Sequence, residues 1–105
     1  MLIVLTTTPN VDEAESLAQK IVAEKLAACV QVLPPMTSFY FWEGKMQKEP
    51  EHLLLIKTLS TKFEELEKFI QANHSYSVPE IVALQSSEVA GSYLDWMKNV
   101  LQSEK

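Results

Sequence analysis

The sequence predicts an α+β fold: a ferredoxin-like βαββαβ sandwich with an extended hairpin between its second and third strands and an added helix at the C-terminus. Three observations carry that prediction. Strand-like and helix-like apolar blocks alternate along 105 residues, enough chain for a single domain, 1-105, with one core. Two strand–helix units enclose a central pair of strands, the order that lays helices on an antiparallel sheet. Each arm of the central hairpin runs about a dozen residues, whereas strands usually have about five or six.

Leu2 to Thr8 is β-branched and apolar, a buried strand ending at Pro9. Asn10 is placed to cap the first helix, with Glu13 reaching back to complete a capping box. Ala14, Leu17, Ala18, Ile21, Val22 and Leu26 follow at helical spacing. Cys29 to Leu33 and Leu53 to Thr58 read as the core-level halves of two long strands, joined through FYFWEGKM with Glu43-Gly44 as the tight turn. A two-residue turn sets Trp42 opposite Lys45 and Thr37 opposite Pro50. Pro34, Pro35 and Pro50 then gather at one level of the hairpin, where missing amide donors favour a bend or bulge. Thr61 with Glu64 suggests a second capping box, opening a helix with Phe63, Leu66, Phe69 and Ile70 inward and fading at Ala72 to His74. Ile81 to Gln85 is the last strand, and Gly91 to Lys105 a third helix with Tyr93, Trp96, Met97, Val100 and Leu101 on one side.

A net charge of -5 argues against nucleic acid as a partner, because neutralising phosphates needs a basic surface. All nine positive charges are lysines, so no guanidinium fork is available for bidentate phosphate or carboxylate recognition. With two glycines, Gly44 and Gly91, the chain has no phosphate loop, dinucleotide fingerprint or nucleophile elbow, and no organic cofactor is expected. Cys29 is the single cysteine, which excludes an intrachain disulfide and makes a cytoplasmic setting the default. No signal peptide and no membrane-spanning run are expected.

The hairpin tip carries Phe39, Tyr40, Phe41 and Trp42. Four aromatic residues on a ribbon that projects beyond its helices would leave a large apolar patch in water, so the tip reads as a subunit contact.

AEKLAACVQVLP, TSFYFWEGK, LLLIKT and HSYSVPEIVAL, in that order and followed by YLDWM, resemble the CutA-type divalent-cation tolerance proteins from Ile3 to about Leu101. The resemblance implies a compact homotrimer, similar in architecture to PII-type signalling trimers, in which long hairpins pair between subunits. It also implies a cytoplasmic bacterial-type protein linked to copper and other divalent cations, and with no enzyme motif in the chain the preferred reading is a non-enzymatic binding protein. Copper ligands known in some members would fall on Thr6, Asn73 and His74, of which His74 alone retains a metal-binding side chain; Ser75 stands where a proline usually follows.

The nominated metal contacts are therefore His74, with Cys29 and Glu80 as lesser donors, and the nominated cleft residues are Lys57 and Tyr76. Each has a plainer reading. His74 sits at a helix exit, where an imidazole can hydrogen-bond a terminal carbonyl. Cys29 suits a core position, and Glu80 a backbone or ion-pair contact. Lys57, inside an apolar strand, needs either a carboxylate or a cleft. Glu49, Glu51 and His52 read as a solvated edge. Beside the metal-response reading stand a PII-like signalling or scaffolding trimer that binds a small anion or a partner protein, and an enzyme using His74, Tyr76, Lys57 and Glu80.

Overall fold

The computed structural model of the chain describes residues 1–102, so positions 103–105 of the expected third helix lie outside the described residues. The threonines and branched aliphatics of β1 (Leu2–Thr8) occupy the interior of a five-stranded antiparallel sheet. On one side β1 pairs along its whole length with the inner half of β4 (Lys45–Thr58), from Leu2 opposite Thr58 to Thr8 opposite His52. On the other it pairs with the short β5 (Val82–Gln85). β2 (Cys29–Val32) flanks the inner half of β4, giving the order β2-β4-β1-β5, while β3 (Met36–Trp42) pairs with the outer half of β4. This is the expected ferredoxin-like arrangement, with its second strand divided into β2 and β3.

The division has a cause that can be read from the pairing. Val32 faces Leu54, but Met36 faces Glu51, so three residues on one side span two on the other. The extra residue lies in Leu33-Pro34-Pro35, where two prolines cannot donate to the ladder. The shift is held by Leu33 N–H donating to Leu53 O at 2.9 Å and by His52 Nδ1 bonding Leu33 O at 2.9 Å. Beyond it the ribbon runs to a turn with positive φ at both Glu43 (52°) and Gly44 (76°), and Trp42 faces Lys45 and Thr37 faces Pro50 as the turn length predicted.

Strand alternation places Val4, Thr6 and Thr8 with Leu54, Ile56 and Thr58 on the face covered by α1 (Val11–Ala23) and α2 (Phe63–Asn73). Leu17, Ile21, Leu66 and Ile70 of the helices complete this core. α3 (Gly91–Gln102) packs elsewhere, burying Met97 and Leu101 against Ala28 with Met1 and Leu59 around them. No helix among the described residues is long and apolar enough to cross a membrane.

Local details depart from the sequence reading at three points. Asn10 Oδ1 accepts Glu13 N–H at 2.8 Å, the capping bond, but the Glu13 carboxylate bonds Ser75 instead of closing a box. The second capping box is not formed: a 3-10 turn, Ser60–Lys62, precedes α2, whose cap Lys62 makes no side-chain cap bond, and Glu64 pairs with Lys68 at 3.3 Å. α1 ends with Lys25 in the left-handed region (φ 56°), with Leu26 N–H bonding Ile21 O and Lys25 N–H bonding Val22 O. That is a Schellman ending, which returns Leu26 to the core; Val22, still inside the helix, faces outward instead of joining the inward stripe expected for it.

Two buried threonines give contrasting expectations. Thr58 Oγ1 donates to Leu26 O at 2.7 Å, whereas Thr6 Oγ1 is buried with no partner. Thr6→Val should raise stability by about 1 kcal/mol and Thr58→Val should lower it by about 1–2 kcal/mol, because only the second strands a carbonyl. Urea midpoints of the two variants check the opposite signs.

Candidate functional site

The segment leaving α2 is fixed to the far end of β1 by one imidazole. His74 takes extended backbone (φ -100°, ψ 145°) as the cap of α2, which swings its side chain toward the sheet. Nε2–H donates to Thr7 O at 2.7 Å, and Nδ1 accepts Tyr76 N–H at 3.0 Å. These partners select the Nε2–H tautomer. The ring's side-chain exposure is 0%, with Glu13 Oε2 3.5 Å from Nδ1. Glu13 itself accepts from Ser75 N–H at 3.1 Å and Ser75 Oγ–H at 3.0 Å, so α1, β1 and the connection after α2 converge here.

The imidazole fixes the turn that aims Tyr76. Its ring lies 4.8 Å from that of His74, and its hydroxyl donates to Glu51 Oε2 at 2.8 Å. Glu51 is 6% exposed, a carboxylate withdrawn from water at the foot of the ribbon. Burial, then the hydrogen bond from Tyr76 to Glu51 and the charge of that carboxylate, push the Tyr76 phenol far above its ordinary value. The phenol therefore stays a donor throughout the physiological range.

Around this pair opens a groove of about 650 Å³, lined by Thr7, by Ser38 to Tyr40 and Trp42, and by Ser75 to Val78 and Glu80. The register explains the composition. Ser38, Tyr40 and Trp42 share a ribbon face with Glu51, while Phe39, Phe41 and Met46 occupy the reverse face and are 65%, 76% and 70% exposed.

The nominated residues divide accordingly. Tyr76 and Glu80 line the groove, and His74 lies behind it. Lys57 is six residues along β4 from Glu51, roughly 20 Å away. Its ammonium sits 5.7 Å from the Tyr93 ring centre, and among the described residues it meets neither a carboxylate nor the groove. Cys29 pairs with Lys57 at that same distant end. The carbonyl that receives His74 belongs to β1, not to the helix end anticipated. Glu51, read as part of a solvated edge, is buried, and Glu13 was read only as a cap; the kink beside Pro50 was the available signal for the first.

The fit of these residues to a copper centre is poor. Both nitrogens of His74 are occupied, Asn73 Nδ2 donates to Phe69 O at 2.8 Å, and Thr6 presents a hydroxyl. Soft or borderline cations select sulfur and free imidazole nitrogen. Among the described residues no group of three or more His, Cys, Asp or Glu side chains is arranged to hold a metal ion.

A ferredoxin-like sheet, a kinked ribbon reaching past its helices and a groove at the ribbon's foot define the class: a ribbon-bearing α+β domain. The family model described as CutA1 divalent ion tolerance protein matches residues 2–100, and the chain belongs to that family. It is 46% identical over 98 residues to Protein CutA, chloroplastic, of Arabidopsis thaliana, covering 93% of this chain and 54% of the relative. It is 44% identical over 96 residues to the divalent-cation tolerance protein CutA of Thermus thermophilus, covering 91% and 93% of the two chains. The chain thus spans about half the length of the plant relative and nearly all of the bacterial one. A crystal structure of a variant of CutA1 from Pyrococcus horikoshii OT3 superposes with a TM-score of 0.94 at 33% identity, covering 98% of this chain and 100% of that one.

Because folding raises the Tyr76 proton affinity above the ordinary value of 10.0, its contribution to stability is complete below about pH 10 and is lost as pH rises through the folded value. Tyr76→Phe should cost about 1–3 kcal/mol at neutral pH by stranding the buried carboxylate, and should flatten the alkaline limb of the stability curve. Denaturant midpoints at neutral and alkaline pH test both. Separately, His74→Ala, which removes the bonds to Thr7 and Tyr76, should lower stability by about 2 kcal/mol or more, readable in the same assay.

Proposed function

We propose that the chain serves divalent-cation tolerance as a non-enzymatic, homotrimeric cytoplasmic protein that responds to copper or another divalent cation without an organic cofactor. Membership of the CutA1 family over residues 2–100 is the observation that carries the cation-tolerance reading. Several of its relatives are named divalent-cation tolerance proteins. Support for assembly comes from the ribbon. β3 pairs only with β4, and β4 from Lys45 to Glu51 has no second neighbour among the described residues, so the ribbon carries open backbone edges on both sides. Open edges bearing Phe39, Phe41 and Met46 are what sister chains would cover.

In this reading His74 is an architectural residue and the cation response does not pass through it, since ligation would require it to give up Tyr76 N–H or Thr7 O. A signalling or scaffolding role for the trimer is the second reading, and it would use the polar and aromatic groove at the ribbon's foot. An enzyme built on His74, Tyr76, Lys57 and Glu80 is not favoured, because Lys57 is remote from the other three.

Light scattering should return three times the 11.9 kDa chain mass, and Phe39→Glu with Phe41→Glu should shift the population to monomer. A stable wild-type monomer at micromolar concentration rejects the assembly. In chelator-buffered copper titrations, wild type and His74→Gln should bind alike; stoichiometric submicromolar binding lost in the variant would reinstate His74 as a ligand.

A further inference from the structure

The groove at the ribbon's foot has an electrostatic imbalance that the cation-tolerance reading leaves unused. Among the described residues, its charged lining consists of Glu51 and Glu80, with no lysine or histidine. Glu51 is 6% exposed and, among the described residues, its carboxylate accepts one hydrogen bond, from Tyr76. A carboxylate taken so far out of water is ordinarily met by a counter-charge or by several donors. Here, among the described residues, Glu51 forms no ion pair, and it lines the open groove. The walls that stand beside it are aromatic, Tyr40, Trp42 and Tyr76, with small hydroxyls from Thr7 and Ser38 between them.

We infer that this groove is a binding site for a small organic cation, a primary or quaternary ammonium. Such an ion is attracted to the faces of tyrosine and tryptophan and supplies the positive charge Glu51 lacks. A divalent metal fits less well, because hard cations need six or more oxygen ligands or retained waters, and rings cannot replace them. The volume of about 650 Å³ is that of a small-molecule pocket. Tyr76 has a defined part: its phenol, held protonated, occupies one carboxylate oxygen and leaves the other facing the groove. The ribbon can serve this site and a subunit contact at once, since Tyr40 and Trp42 lie on one face and Phe39, Phe41 and Met46 on the other.

The ammonium could instead arrive on a lysine of a neighbouring copy, and the experiment separates the two sources. Tetramethylammonium and butylammonium chlorides are titrated into the purified assembly, with tert-butanol as a neutral probe of similar bulk, followed by calorimetry and tryptophan emission. The expected result is saturable binding of both cations, with at least about tenfold preference over tert-butanol and a loss of at least about tenfold in Glu51→Gln. Trp42→Leu, at an exposed position that tolerates change, should weaken the cations more than the alcohol and carries the test if Glu51→Gln fails to fold. Equal binding of the alcohol, unchanged affinity in the variants, or no saturation overturns the site. Ammonium binding that emerges only after Lys45→Gln and Lys48→Gln would put a neighbour's lysine in the groove, and overturns the free-ligand proposal equally.

Discussion

A one-residue slip between two strand pairings organises this molecule. At the base of the sheet Val32 faces Leu54; past the two prolines Met36 faces Glu51. Without the slip the ribbon would continue the sheet in its own plane. With it, the chain bends as it leaves the helices' cover, and the residues just beyond the bend meet the connection between α2 and β5. The Tyr76–Glu51 hydrogen bond joins those two segments, so the groove is a product of the bulge as much as of its lining residues.

His74 shows how architecture can claim a residue that chemistry would also use. An imidazole that donates through one nitrogen and accepts through the other has no lone pair left for a metal, and its burial closes the approach. In exchange it ties β1, α2 and the following turn together, with Glu13 of α1 reinforcing the same knot through Ser75. Family membership is secure over almost the entire chain, yet this part of the molecule is built for holding rather than ligation.

Most of the architecture could be read from periodicity: the element order, the inward residues of α1 and α2 apart from Val22, and the hairpin register down to the pairing of Thr37 with Pro50. Those features depend on local spacing and on one turn. What escaped reading depended on residues distant in sequence. Glu51 alternates like any ribbon carboxylate, and beyond the hint of the kink beside Pro50 its burial shows only through a tyrosine 25 positions later. Glu13 has the spacing of a capping-box acid, but Ser75, 62 residues away, competes for it and wins. Lys57 looked starved of a counter-ion because the ring beneath it, Tyr93, comes from a helix that packs across the end of the sheet.

The turn that closes the ribbon has an implication for ageing. A backbone with φ of 52° followed by 76° is the setting in which asparagine before glycine is favoured. Asparagine in that setting is also the pair most prone to cyclise, deamidate and leave a kinked isoaspartate. Glu43 accepts a modest conformational penalty in its place, and a glutamate side chain is one carbon too long for the same ring closure. The loop at the far end of the ribbon is therefore spared a slow covalent clock that would otherwise start running at synthesis.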